Sequence, residues 1–536
     1  MNRTIALLAF PFLSFLLVAC QSPERPSEKN PDAFREPHRP QFHFSPREKW
    51  MNDPNGMVFY DGEYHLFYQY YPDSTVWGPM HWGHAVSPNM VHWEHLPIAL
   101  YPDSLGYIFS GSAAVDWNNT SGFGPDSPGG QPPLVTIFTY HNMPAEKAGR
   151  NDFQYQGIAY SNDKGRTWAK YAGNPVIPNT SGIRDFRDPK VIWHEDSKQW
   201  IMVFAAKDQV KFWASKDLKK WERLSDFGKD QGSHGGVWEC PDLFPLKVEG
   251  SDETKWVLLL SINPGGPNGG SATQYFVGHF DGKKFSLDES FAPSVTGENA
   301  VWLDHGRDNY AGVSWSDIPA ADGRRLFIGW MSNWDYAQVV PTTAWRSAMT
   351  LPRSLELRKT KAGYRLFSQP VRELTALRAN ARTLEPGEIQ RHLDLTQKTG
   401  LSPAQMELIL EFEPLAGPPA DFGVELSNAK GERYRVGYDA AKNQFYSDRT
   451  QAGQNGFSEK FAASAHTAPR LSGDKTIRFH LFFDVASSEL FADGGSAVIT
   501  DIFFPAETFG AAKIYVNKGR VNLARGETWA LKRIWD

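Results

Sequence analysis

The sequence predicts an all-β protein, a five-bladed β-propeller followed by a C-terminal β-sandwich. Three observations carry that expectation. From Phe42 to about Pro352 short strand-like runs alternate with turn residues, and no long stretch keeps a helical period. Within that region a hairpin followed by a Ser/Asp turn and a buried tryptophan recurs every roughly 50 to 75 residues, a spacing that fits blades rather than an irregular sandwich. Beyond about Leu355 the text changes to longer strands of strict alternation.

Taken from the N-terminus, Asn2 and Arg3 precede an apolar run from Ile5 to Val18 that is too short to span a bilayer and sits where the h-region of an export signal belongs. It ends in Leu17-Val18-Ala19-Cys20, which resembles a bacterial lipobox. That resemblance implies cleavage before Cys20, lipidation of that cysteine and a lipid-anchored protein at the bacterial cell envelope. Residues 21–41, rich in Pro, Glu, Arg and Ser, read as a solvated tether. The expected domains are therefore a signal at 1–20, a tether at 21–41, the propeller at 42–354 and the sandwich at 355–536.

In the propeller, Met57 to Tyr60, Asp61-Gly62 and Glu63 to Tyr70 form a hairpin signature, because Asp-Gly takes the positive φ angles of a primed turn readily. Val191 to Trp193 with Trp200 to Phe204, and Trp256 to Ile262 with Gln274 to Phe280, read the same way. The turn-plus-tryptophan punctuation follows at Ser87 to Trp93, Ser161-Asn162-Asp163 to Trp168 and Ser215-Lys216-Asp217 to Trp221. In the sandwich, Leu408, Leu410 and Phe412 share one strand face, as do Ile477, Phe479, Leu481 and Phe483, and Asp493-Gly494-Gly495 closes a hairpin. The sandwich carries no acidic cluster comparable to the propeller's and reads as a supporting module.

Composition narrows the function. Lys+Arg 56 against Asp+Glu 61 gives a net charge of -5 with no basic tract, which argues against nucleic acid as a partner. Of the 2 Cys, one falls in the lipobox, so no disulfide framework supports the fold. His81, His84, His92 and His95 fit no zinc spacing, and neither a metal nor a cofactor is expected. Gly265 to Gly270 lacks the Lys-Ser/Thr of a phosphate loop and reads as a flexible blade loop. The 19 Trp, 19 Tyr and 35 Phe suit β-structure and also stacking on apolar sugar faces.

Three acids share one local setting: Asp53 before Pro54, Asp188 before Pro189, and Glu239 two residues before Pro241, each leading into an apolar run. Any one Asp-Pro is an ordinary turn dipeptide. In a propeller, however, equivalent starts of successive innermost strands converge on one end of the central channel, and clustered carboxylates are what glycoside chemistry requires.

Trp50-Met51-Asn52-Asp53-Pro54-Asn55-Gly56, Phe109-Ser110-Gly111-Ser112, Phe186-Arg187-Asp188-Pro189 and Trp238-Glu239-Cys240-Pro241-Asp242, in that order, resemble glycoside hydrolase family 32, the invertase, inulinase and levanase group. Asp304 to Tyr310, Gly329-Trp330-Met331, Thr343 to Arg353 and Phe479 to Gly494 extend the likeness. The resemblance implies Asp53 as nucleophile, Glu239 as general acid/base and Asp188 as stabiliser of the oxocarbenium-like transition state. It implies Asn52, Gln69, Trp77, Phe109, Ser110 and Arg187 as substrate-binding residues. Cys240 either tunes the Glu239 carboxyl or is a small buried hydrophobe. The expected activity is a retaining hydrolysis that releases fructose from the non-reducing end of levan, inulin or fructo-oligosaccharides. Its rivals are endo-cleavage of levan, invertase or fructosyl transfer, and a non-catalytic fructan-binding surface protein.

Overall fold

The computed structural model describes residues 33–125 and 130–535. The lipobox, Cys20 and most of the expected tether fall outside the described residues. Residues 33–41 are described, and they correct the tether. Phe34 stacks on Trp535 with ring centroids 4.1 Å apart, and the buried Arg39 donates to the Pro46 carbonyl at 2.6 Å and the Arg47 carbonyl at 2.9 Å while lying over the Trp345 ring. Composition alone missed this because Pro and charge look solvated until a buried aromatic and a fully satisfied guanidinium pin them.

Five sheets, antiparallel apart from a short parallel pairing of Trp345-Arg346 with Lys49-Trp50, surround a channel. Their innermost strands are Lys49–Tyr60, Tyr107–Val115, Phe186–His194, Val237–Lys247 and Tyr310–Ser314, and each touches the next around a closed ring. The first hairpin forms as its turn chemistry dictates. Tyr60 pairs with Glu63, and Asp61 and Gly62 both adopt positive φ, 48° and 87°. The other two hairpins pair as expected.

The recurrent punctuation is one hydrogen-bonded device between the third and fourth strands of a blade. Ser161 donates to Asp163 at 2.7 Å and Ser215 to Asp217 at 3.1 Å, with Ser87 and Asn89 repeating the arrangement at 3.2 Å. The acceptor side chain takes backbone N–H groups further on, and the indoles of Trp168 and Trp221 cap the turn by donating to Gly165 and Leu218 carbonyls. Trp93, Trp168 and Trp221 are half-buried rather than buried; Trp168 and Trp221 cap their turns, while Trp93 packs edge to face on Phe44. In the fourth blade Asp281 repeats the turn, but Phe285 stands in the aromatic position, which hid this blade's punctuation from the tryptophan pattern.

The expected boundary at 354/355 cuts through a strand. Arg353–Thr360 pairs with Arg325–Met331, and Gly363–Pro370 pairs with it in turn, so both complete the fifth blade. Outer blade strands alternate just as sandwich strands do, and alternation cannot tell them apart. The sandwich follows as a seven-stranded and a six-stranded sheet around Leu408, Leu410, Phe412, Phe422, Phe479, Leu481 and Phe483.

Propeller and sandwich are joined by buried charge. Arg353 donates to Asp304 at 2.9 Å, to Glu489 at 2.6 Å and to Thr500 at 2.7 Å, all fully buried. Arg449 donates to Asp308 at 2.6 Å and to the Tyr336 hydroxyl at 2.8 Å. His43 bridges Asp484 and Glu489 at 2.8 and 3.0 Å. Burial pulls its pKa down, but the two carboxylates outweigh that and push it up to about 9. The sandwich does hold acids, then, but they are spent on the interface. The Gly265 to Gly270 loop is held too, by reciprocal bonds between Asn268 and the Thr467 backbone at 3.0 and 3.1 Å, where flexibility was expected.

Candidate active site

Each inner strand loses its regular pairing where it reaches one end of the channel. The irregularities fall at Asn52-Asp53, Phe109-Ser110, Asp188-Pro189, Cys240-Pro241 and Ala311-Gly312. A bulge tilts the chain and re-aims a side chain, so five bulges together turn residues inward that a regular pleat would alternate away. Proline is tolerated there because Pro189 and Pro241 fall at unpaired bulge positions, while Pro54 directly follows the bulge at Asn52-Asp53. Asp188 and Cys240 take left-handed φ of 63° and 46°, a conformation that costs an L-residue about 1–2 kcal/mol. The reward is local. The Cys240 N–H donates to Asp188 Oδ2 at 3.0 Å, while the Asp188 N–H donates to the Thr139 hydroxyl at 3.0 Å. Gly111 follows the second bulge because a Cβ there would collide with the Ile137 carbonyl.

These bulges open onto a cavity of about 310 Å³ lined by Asp53, Asp188 and Glu239 together with Asn52, Gln69, Trp77, Phe109, Ser110 and Arg187. All nine residues singled out in the sequence for one site thus share one hollow. Beneath it the channel is plugged by the turns around Pro54, Pro189 and Pro241, which leave a void of only about 10 Å³. The pocket is therefore blind.

Asp53 accepts the Ser110 hydroxyl at 2.6 Å on one oxygen and the Asn52 amide at 3.0 Å on the other, and Asn52 is itself oriented by the Trp50 indole at 2.7 Å. Cys240 Sγ lies 3.6 Å from both Asp53 Oδ2 and Asp188 Oδ2, which makes it a weak donor between two carboxylates and a thiol whose pKa is driven up by burial and then by those charges. Glu239 receives Arg187 Nη2 at 2.9 Å and Nε at 3.1 Å on one oxygen and the Tyr310 hydroxyl on the other. Arg187 also donates to Asp185 at 2.6 Å. Trp77 and Phe109 meet edge to face at 6.0 Å and form an apolar wall, while Gln69 is fixed by donating to the Ile108 carbonyl at 3.0 Å.

Asp185, Asp188 and Glu239 share the single Arg187 guanidinium, with Asp53 beside them in the same cavity. Burial raises the Asp53 pKa, with Ser110 opposing and the Glu239 charge adding to the rise. Burial likewise pushes Asp188 up to about 7, against Arg187 and with help from Glu239 and Asp53. Carboxyls of raised proton affinity gathered in one hollow are a setting suited to acid-assisted glycosyl transfer. Because the Ser110 hydrogen bond favours ionised Asp53, Ser110→Ala is expected to move the acid limb of kcat/KM to higher pH. A pH–rate profile checks this, and an unmoved or lowered limb counts against Asp53 as the ionised group.

The sequence reading missed other lining residues. Asp185, His141, Gln154, Trp334 and Gln338 border the cavity from loops and strand ends that carry no repeated signature. Tyr310 sits at the equivalent bulge of the fifth inner strand, where Ala311-Gly312 replaces the proline. A glycine inside a strand-like run was the one available signal.

Residues 43–370 match the model of the glycosyl hydrolases family 32 N-terminal domain, and residues 373–530 match that of the family's C-terminal region. The chain is 47% identical over 508 residues to a levanase of Bacillus subtilis (strain 168), covering 94% of this chain and 72% of that one. Among solved structures it is similar to the exo-inulinase of Aspergillus awamori, with a TM-score of 0.83 at 35% identity, covering 94% of this chain and 100% of that one. It is also similar to a β-fructofuranosidase of Schwanniomyces occidentalis complexed with fructosyl-erythritol, with a TM-score of 0.80 at 32% identity over 94% and 99% of the two chains.

Proposed function

The chain belongs to glycosyl hydrolase family 32, and from that premise we propose that it is a retaining fructan β-fructosidase that removes fructose from the non-reducing end of levan, inulin or their oligomers. The observation that carries the exo reading is the blind pocket. A chain end can enter a hollow of about 310 Å³ closed underneath, whereas mid-chain cleavage needs a groove open at both sides.

Asp53, whose ionised form the Ser110 and Asn52 hydrogen bonds favour, attacks the anomeric carbon while Glu239 gives its proton to the departing glycosidic oxygen. This leaves a fructosyl ester on Asp53. Glu239 then takes a proton from water, the water oxygen attacks the same carbon, and the carboxylate of Asp53 leaves, which restores the starting configuration. Asp188 and Arg187 bind hydroxyls of the terminal sugar, and Trp77 and Phe109 face its apolar side. The three acids gathered in one hollow separate this reading from a binding-only protein.

Incubation with levan, inulin and sucrose in separate reactions, with early products resolved by chromatography, is expected to release free fructose alone from the two polymers. A ladder of oligomers from levan would replace the exo reading with an endo one.

The apolar run ending in Leu17-Val18-Ala19-Cys20 supports lipidation of Cys20 and attachment to the bacterial cell envelope. Mass spectrometry of the mature N-terminal peptide is expected to find an acylated cysteine, and Cys20→Ala is expected to move the protein from the membrane to the soluble fraction. An unmodified N-terminus beginning elsewhere would reject the anchor.

A further inference from the structure

The inner strands run away from the active site and end at a second, larger cavity of about 560 Å³ at the opposite mouth of the channel. It is lined by Val115, Trp193 and Phe244 from the far ends of three inner strands, and the plug of prolines separates it from the catalytic pocket. Nothing in the proposed reaction uses it.

Its wall is aromatic and rigid. Trp117 is 61% exposed, an unusual state for so large an apolar ring, yet it is not loose. Its indole N–H donates to Asp317 Oδ1 at 2.8 Å, and the other oxygen of Asp317 accepts the Val115 N–H at 3.0 Å. Trp193 is fixed in the same manner by donating to Glu195 at 2.7 Å, and Trp256 packs edge to face on Phe280 at 5.3 Å. Trp117 and Trp193 thus border one hollow with their polar edges already satisfied, which leaves ring faces to offer.

The polar groups favour a neutral ligand. Lys190 is paired with Asp242 at 3.2 Å and donates to the Ser314 carbonyl at 2.7 Å. Arg325 stacks over Phe244 at 4.6 Å, makes only two long contacts of 3.4 Å, and has no carboxylate within 4 Å among the described residues. Its remaining donors can reach oxygen atoms of a ligand. The exposed Glu195 and Asp196 in the same lining oppose an anion, and Asn118 supplies both a donor and an acceptor. Held aromatic faces, unspent donors and a balanced charge are the chemistry of a polyhydroxylated chain.

We propose that this far-mouth cleft is a second, non-catalytic carbohydrate site that binds a fructan chain through Trp117, Trp193 and Arg325. The inference goes beyond the proposed reaction, for which the catalytic pocket suffices. A site on the opposite face would hold polymer near the enzyme without entering the reaction, so it would raise the local concentration of chain ends.

The test is affinity electrophoresis of the full chain through gels containing levan, inulin or, as an anionic comparison, polygalacturonate, beside turnover of a fructo-oligosaccharide trimer. Trp117→Ala and Trp193→Ala are expected to weaken retardation by levan or inulin about tenfold while changing kcat/KM on the trimer less than about twofold. Trp117→Phe, which keeps a ring at that position, is expected to retain most of the retardation. Melting temperatures identify any variant that fails through misfolding, and Arg325→Gln tests the cleft independently of the indoles. Unchanged retardation by both fructans in the two alanine variants would overturn the proposal, and so would cleft-dependent retardation by polygalacturonate alone. Absence of fructose release by the native chain would instead refute the proposed reaction and leave the retardation result intact.

Discussion

Asp53→Asn and Glu239→Gln are each expected to lower kcat/KM on a fructo-oligosaccharide by at least about three orders of magnitude while the protein stays folded. Asparagine at 53 keeps one oxygen for the Asn52 amide and turns its NH2 toward Ser110, whose hydroxyl oxygen can accept, so the pocket keeps its shape but loses its nucleophile. Glutamine at 239 keeps an oxygen for Tyr310 but has no proton to give. The two failures differ. An aryl fructoside, whose leaving group needs no proton, is expected to restore the first step in Glu239→Gln and nothing in Asp53→Asn. Near-native turnover by either purified variant would end these assignments.

Loss of rate here is not loss of fold, and Asp188 makes the distinction measurable. Its carboxyl is pushed up to about 7 in the folded chain by burial, with Glu239 and Asp53 adding and Arg187 opposing. The unfolded value is about 3.9. The folded state therefore binds the proton more tightly, and stability falls as pH rises through the window between those values. Asp188→Asn removes that penalty, so at about pH 8 it is expected to melt at or above the native temperature although its activity collapses. A lower melting temperature would mean that the charged Asp188 supports the fold.

Arg353→Ala is expected to destabilise the protein by about 3–5 kcal/mol, the range for breaking a buried ion pair from one side. The arginine is completely buried and serves Asp304 from the propeller and Glu489 and Thr500 from the sandwich. Its removal strands two carboxylates without water. His43 and the Leu351 N–H still serve Glu489 Oε1, but Oε2 loses the Arg353 donor, and Asp304 keeps only the Thr500 and Asn309 side chains and backbone N–H groups. Denaturant unfolding measures the change. A companion change of both Arg353 and Glu489 to apolar residues should recover part of the loss, because no unpaired arginine or glutamate then remains. A loss below about 1 kcal/mol in Arg353→Ala would show that water reaches the interface.

Much of the site was legible because proline marks it. Asp53, Asp188 and Glu239 each announce themselves by the Pro54, Pro189 or Pro241 that follows, and a repeat architecture turns those separate marks into one hollow. Tyr310 occupies the same level of the fifth strand without that mark, and Trp334 and Gln338 enter from a loop whose course is set by tertiary packing rather than by local pattern. The fold was legible where turn chemistry is local, as at Asp61-Gly62. It was not legible where two architectures share a period, as at Arg353–Thr360. The N-terminal segment was misjudged for a third reason, because the rings that pin Phe34 and Arg39, Trp535 and Trp345, come from far along the chain.

The three prolines also bear on assembly of the ring. Until five sheets close, the free edge of each innermost strand presents unpaired amide groups to any other extended chain, the commonest invitation to intermolecular β-pairing. Pro54, Pro189 and Pro241 remove an N–H and break the flatness of the strand at those edges, beside the catalytic acids. The bends that aim the acids thus double as gatekeepers against aggregation of the half-built wheel.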